Sequence, residues 1–174
     1  AISVGLLITL LIIMAYTNPS DFASTSTDCQ EQACIVTVNY KSALSEYIAS
    51  GKYQWINPAF TDEHFGADTS TEIRNVPIQV IALPNIPISE TVNELTKRNY
   101  RPATSRELLA MIASGVLENF HGTLVAPGTL WKVPMGHVAV PAFENIKGFK
   151  TMEVFGAGVL GWRDNIFFAA VPLQ

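Results

Sequence analysis

The sequence predicts an α+β domain, two or three helices with a mostly antiparallel sheet, carried behind a hydrophobic N-terminal helix. Three observations lead there: an apolar opening run without charge, two helix patterns in mid-chain of which the second is strongly capped, and a second half cut into short β-rich runs by Gly and Pro. The 174 residues make a one-domain length. Without the opening run about 150 residues remain, enough for a core.

Composition narrows the function classes. The apolar fraction is 48% and the charged fraction 15%, against a globular norm of about 25% charged, so the chain is too hydrophobic to be disordered. The net charge is −4 and the eleven Lys and Arg are scattered. Neutralising phosphates needs a concentrated cationic face, so nucleic acid is not an expected partner.

Ala1 to Tyr16 is apolar-dominated, and the first charge is Asp21. Sixteen residues give about 24 Å of helix against a hydrocarbon core of about 30 Å, a gap that Thr17 and Asn18 nearly close. Apolar side chains occupy every face of the wheel, which fits lipid or a helical bundle. Leu6, Leu7, Leu10, Leu11, Ile12 and Ile13 are the expected anchor or assembly residues. Pro19 ends the run, and Ser20 to Thr27 reads as a polar linker. The expected organisation is a hydrophobic membrane or assembly helix at 1–19, a linker with half of a small disulfide ring at 20–33, and an extracytoplasmic domain at 34–174.

A secretory signal peptide would call for a basic region in front and a small-residue cleavage site behind. A hydrophobic run at the first residue instead resembles type IV pilin-like subunits, whose leader is cut just before such a helix, although Gly5 stands where most of those subunits carry Glu. An ordinary single anchor within a larger assembly is the other reading. Either implies membrane lipid or further copies of the chain as partners, with unlike subunits also possible, and a location in the cell envelope or on the extracellular surface.

Cys29 and Cys34 enclose Gln-Glu-Gln-Ala. In an exported protein that spacing favours a disulfide over two free thiols or metal ligation. Zinc would need two more ligands, and His64, His121 and His137 show no metal-type pairing. No metal and no cofactor are expected.

Along the domain, Ile35–Tyr40 alternates as a strand. Ser42 is the expected cap of a helix carrying Leu44, Tyr47 and Ile48, with Gly51 as its left-handed stop. Tyr53 to Pro58 reads as an aromatic connector, Asp62–Phe65 as a helical turn, and Val76–Leu83 as a second strand. Ser89 is the expected cap of a helix with Ile88, Val92 and Leu95 on one face and Lys97-Arg98 at its end. Tyr100 to Ala103 is an extended break, and Thr104-Ser-Arg-Glu107 is a capping box opening a helix to about Ala113. After Gly115 the candidate strands are Thr123–Ala126, Thr129–Val133, His137–Val140, Thr151–Phe155 and Ile166–Val171.

The string Ile88 to Leu109, with Arg101-Pro-Ala-Thr104 at its centre, resembles that of a family of small uncharacterised bacterial proteins. Gly51-Lys-Tyr-Gln-Trp55 matches an early motif of that family, and Trp162-Arg-Asp164 with Phe167 to Val171 matches its ending. The string is more distantly similar to the two-helix entry of the C-type-lectin-like and formylglycine-generating-enzyme fold. That resemblance implies a C-type-lectin-like arrangement with Trp131, His137, Trp162, Arg163 and Asp164 on the strands and loops of its binding surface. The enzyme branch depends on late cysteines or copper, and no Cys follows Cys34, so its chemistry is not implied.

No recognisable catalytic apparatus is present: there is no Gly-x-Ser-x-Gly elbow. Gly156-Ala-Gly-Val-Leu-Gly161 lacks the Lys and following helix of a phosphate cradle. Asp62, Glu63, His64 and Asp68 form the one titratable cluster, read as a solvated acidic loop in preference to a cation site. The expected function is that of a structural subunit packed through its N-terminal helix. The alternative is a tethered lectin-like module recognising a glycan or protein, where Trp131 and Trp162 serve as ligand contacts instead of core.

Overall fold

Alternation in Cys34–Asn39 turns Cys34, Val36 and Val38 inward and Ile35 and Thr37 outward, and this segment is strand β1. The computed structural model describes residues 28–68, 70–84, 86–134, 136–156, 158 and 165–173. The expected N-terminal helix, the linker at 20–27, and Trp162, Arg163 and Asp164 lie outside them. The later strands are β2 (Trp55–Ile56), β3 (Ile73–Ala82), β4 (Tyr100–Pro102), β5 (Gly122–Val125), β6 (Trp131–Lys132), β7 (Val138–Ile146), β8 (Phe149–Gly156) and β9 (Ile166–Pro172). The helices are α1 (Leu44–Ser50), α2 (Asp62–Phe65), α3 (Ile88–Lys97) and α4 (Ser105–Ala113).

The architecture is α+β. One nine-stranded sheet runs in the order β1-β3-β9-β5-β7-β8-β2, with β4 added beside β9 and β6 beside β7. The sheet is mixed but mostly antiparallel: β5 with β9 and β2 with β8 are its parallel pairs. β7 and β8 form a long hairpin closed at Lys147-Gly148, where both residues have positive φ as a tight hairpin turn requires.

Period-two alternation divides the core between the two faces. On one face α4, through Leu108, Leu109 and Met111, packs with Leu44 of α1 and with Val36, Val38, Ile78, Leu124, Phe143 and Met152 of the sheet. On the other, Ile88 at the start of α3 meets Val125, Val140, Ala142, Phe155 and Phe168. Each fully buried side chain of this kind contributes about 1.5–3 kcal/mol. Ser105 to Ile112 are all buried, so α4 is enclosed on every side.

Several sequence expectations are corrected. There are four helices among the described residues, not two or three. Ser42 does not cap α1: Ala43 holds that position, and the Asp62 carboxylate accepts the Leu44 N–H instead. Gly51 is not left-handed; Lys52 is. Gly51 is needed because a Cβ there would lie 2.1 Å from the Tyr53 ring. Ser89 lies inside α3, which starts after Pro87. On that helix Thr91, bonded to the Pro87 carbonyl, is fully buried while Val92 is half-buried. Trp55–Ile56, read as part of a connector, and Tyr100–Pro102, read as an extended break, are strands because β8 and β9 offer them free edges. β7 continues through Pro141, where a stop was expected. Its missing N–H falls just past the end of β5, and its carbonyl still accepts from Ala126.

Cys29 and Cys34 form the disulfide, with Cα atoms 5.3 Å apart. The loop they close is part of the domain, since the Cys29 carbonyl accepts the Val80 N–H and both cysteines are buried. Replacing both by Ser is expected to lower stability by about 2 kcal/mol, the loop-entropy value for so short a ring, readable as a shifted urea midpoint. Among the described residues no helix is long and apolar enough to cross a membrane.

Candidate functional site

Buried charge gathers at the N-terminus of α4. The box predicted at Thr104 to Glu107 forms: the Thr104 hydroxyl accepts from the Glu107 amide, and the Glu107 carboxylate accepts from the Thr104 amide at 2.8 Å. β4, pinned on β9, places Arg101 beside that carboxylate, and the end of β1 places Tyr40 there. Arg101 donates twice, Nη2 to Oε1 at 2.6 Å and Nη1 to Oε2 at 2.9 Å. The Tyr40 hydroxyl donates to Oε1 at 2.5 Å. Gly128 closes the floor against Ala103, whose carbonyl would lie 2.5 Å from any Cβ at that position.

Glu107 is fully buried. Burial alone would push its carboxyl pKa up. The hydrogen bonds from Arg101 and Tyr40, the Arg101 charge and the Thr104 amide together outweigh burial and hold it below the ordinary carboxylate value. Arg101 is shifted up, chiefly by its hydrogen bond to Glu107, and Tyr40 is pushed up by burial and by the same carboxylate. At neutral pH the set is therefore carboxylate, guanidinium and neutral phenol.

Beside it, Arg106 donates to the carbonyls of Ser42 at 2.9 Å and Gly66 at 2.5 Å and stands 3.9 Å from the carboxylates of Asp62 and Asp68. Asp68 also accepts from the Thr104 hydroxyl at 3.1 Å. A cleft of about 360 Å³ opens over this network, lined by Tyr40, Asp68, Ser70, Arg74, Arg101 and Thr104. Its central carboxylate already takes four donors, two on each oxygen. A general base needs a lone pair free for the incoming proton, so this arrangement fixes strands and loops to α4 and offers no acid–base group at its centre.

Trp131 lies on β6, half-buried. Its ring stacks on His64 with centroids 3.8 Å apart and planes 13° apart, and Phe65 meets it edge-on at 6.0 Å. Nδ1 of His64 is held by the Ala59 carbonyl at 2.9 Å. His137 is exposed in the turn between β6 and β7, its carbonyl accepting from Val133. Of the five lectin-like candidates the structure thus describes two, one turned inward and one in a surface turn. The Asp62, Glu63, His64, Asp68 cluster is divided among other partners: Asp62 takes the Leu44 amide, His64 is stacked, and Asp68 faces Thr104 and Arg106. Among the described residues no group of three or more His, Cys, Asp and Glu is placed to hold a metal ion.

Sequence reasoning missed Tyr40, Arg101 and Arg106. The capping box accounted for Glu107 by itself, and nothing local ties Tyr40 to a residue 67 positions away. No protein-family model, curated protein or solved structure matches the chain.

Proposed function

We propose that this chain is a non-enzymatic structural subunit of a membrane-anchored or pilin-like extracellular assembly, packed through its N-terminal apolar segment and displaying the α+β domain. The observation that carries the reading is the run Ala1 to Tyr16, which has no charge before Asp21 and leads within a dozen residues into a disulfide-closed loop. Water excludes such a run, and disulfides persist in oxidising compartments. The saturated Glu107 network adds support, because the domain's most buried charge is committed to architecture.

The resemblance to C-type-lectin-like folds belongs to the same proposal. Its support is the order β3, α3, α4, then β5, β7, β8 and β9, with the final strand returning antiparallel beside β3. A tethered lectin-like binding module draws less support, since Trp131 spends one ring face on His64.

Deleting Ala1 to Pro19 is expected to leave a soluble, folded monomer, while the intact chain assembles or enters vesicles. Sedimentation of both forms checks this. A truncated domain that assembles just as the intact chain does would remove the segment from its organising role.

A further inference from the structure

The outer edge of β1 carries backbone hydrogen-bonding groups that no other described residue uses, in a self-complementary pattern. The Tyr40 amide donates to the Glu72 carbonyl, and Tyr40 and Glu72 continue the β1–β3 register directly opposite one another. Hydrogen-bonded pairs alternate along an antiparallel ladder, so Val38, Val36 and Cys34 bond to β3, while Ile35, Thr37 and Asn39 point their N–H and C=O groups away from it. Asn39 confirms the phase: its outward amide donates to the Tyr47 hydroxyl at 2.7 Å, and that hydroxyl donates to the Asn39 carbonyl at 3.2 Å. Tyr47 therefore closes one end of the edge. For the outward groups of Ile35 and Thr37 no partner is found among the described residues.

Edge strands are usually protected by charge, proline or a bulge. β1, Cys-Ile-Val-Thr-Val-Asn, has no charge and no proline, and its register with β3 is unbroken. Its outer face is uncharged too, with Ile35 opposite Pro77, Thr37 hydrogen-bonded to Asn75, and Asn39 opposite Ile73. Ile35 is 66% exposed and Ile73 is 64% exposed.

The geometry points to a second copy of this chain as the occupant, paired antiparallel through β1 about a two-fold axis at Val36. Ile35 of each copy then lies opposite Thr37 of the other, the outward groups of both residues are used, and Tyr47 keeps its place. A self-complementary edge flanked by uncharged side chains needs no charge complementarity from its partner, and the pairing joins two sheets into one. So short a ladder is weak alone, and the inference rests on the assembly reading for the local concentration of copies that makes it form.

The test uses two full-length variants, Ile35→Cys and Thr37→Cys, differently tagged, mixed in phospholipid vesicles and mildly oxidised. Residues directly opposite stand about 5.5 Å apart at Cα, within disulfide reach. The 35–35 and 37–37 combinations are diagonal at about 7–8 Å and outside it. The expected result is the mixed dimer in several-fold excess over either self-dimer, and its loss when the Thr37→Cys chain also carries Ile35→Lys. A vesicle-bound chain giving no mixed dimer, or a dominant Thr37→Cys self-dimer, overturns the pairing. If the intact chain fails to enter vesicles, the assembly reading falls, and the same oxidation at millimolar protein in solution then decides the edge separately.

Discussion

Replacing Glu107 by Ala is expected to cost about 3 kcal/mol, the upper end of the range for leaving buried hydrogen-bonding groups without their partner and less than for a pair enclosed on both sides, because Arg101 is 40% exposed. Four donors lose their acceptor at once: both Arg101 nitrogens, the Tyr40 hydroxyl and the Thr104 amide. The Thr104 end of the capping box also loses its reciprocal half. Equilibrium urea unfolding reads the loss as a lower midpoint with an unchanged slope. Acid should mimic it. Because the folded-state pKa of Glu107 is depressed, its contribution is fully present above the unfolded value near 4.5 and disappears as pH falls through the folded value. Unfolding midpoints measured from pH 7 down to pH 3 should fall for the native chain. In Glu107→Ala that acid-dependent loss should shrink by this residue's share.

Trp131→Ala is expected to cost about 2–3 kcal/mol, less than the loss for a fully enclosed aromatic because the ring is half-buried. Its stack on His64 and its edge contact with Phe65 both disappear. A double-mutant cycle with His64→Ala should return a coupling of about 0.5–1.5 kcal/mol. Thermal unfolding of the four chains makes the measurement. Full stability in Trp131→Ala would return this residue to the role of a surface contact.

What the sequence made legible was local. Residues 34–39 alternate with period two, Thr104 and Glu107 sit at capping distance, and the two cysteines lie five apart; the cap and the disulfide find their partners within a turn or two of chain, and the strand shows itself by its alternation although its partner β3 is distant. Pairings decided by the rest of the sheet were not legible. Trp55–Ile56 and Tyr100–Pro102 are strands only because an edge of β8 or β9 is there to receive them. Pro141 is tolerated in β7 only because β5 ends beside it. The same holds for the candidate site. Glu107 was legible as a helix cap, but its burial under Arg101 and Tyr40 depends on where β4 and the end of β1 are placed. Gly51 shows the limit from the other side: a helix stop was the natural reading, and the actual demand is room for the Tyr53 ring.

A photo-reactive amino acid at Leu10 in the intact, assembled chain, followed by identification of what it captures, tests whether the apolar segment is shielded by lipid or by its neighbours. Capture of lipid or of residues 1–19 of a neighbouring chain is the expected result. Capture confined to residues of its own domain, or quenching by water in a free-standing monomer, would contradict it.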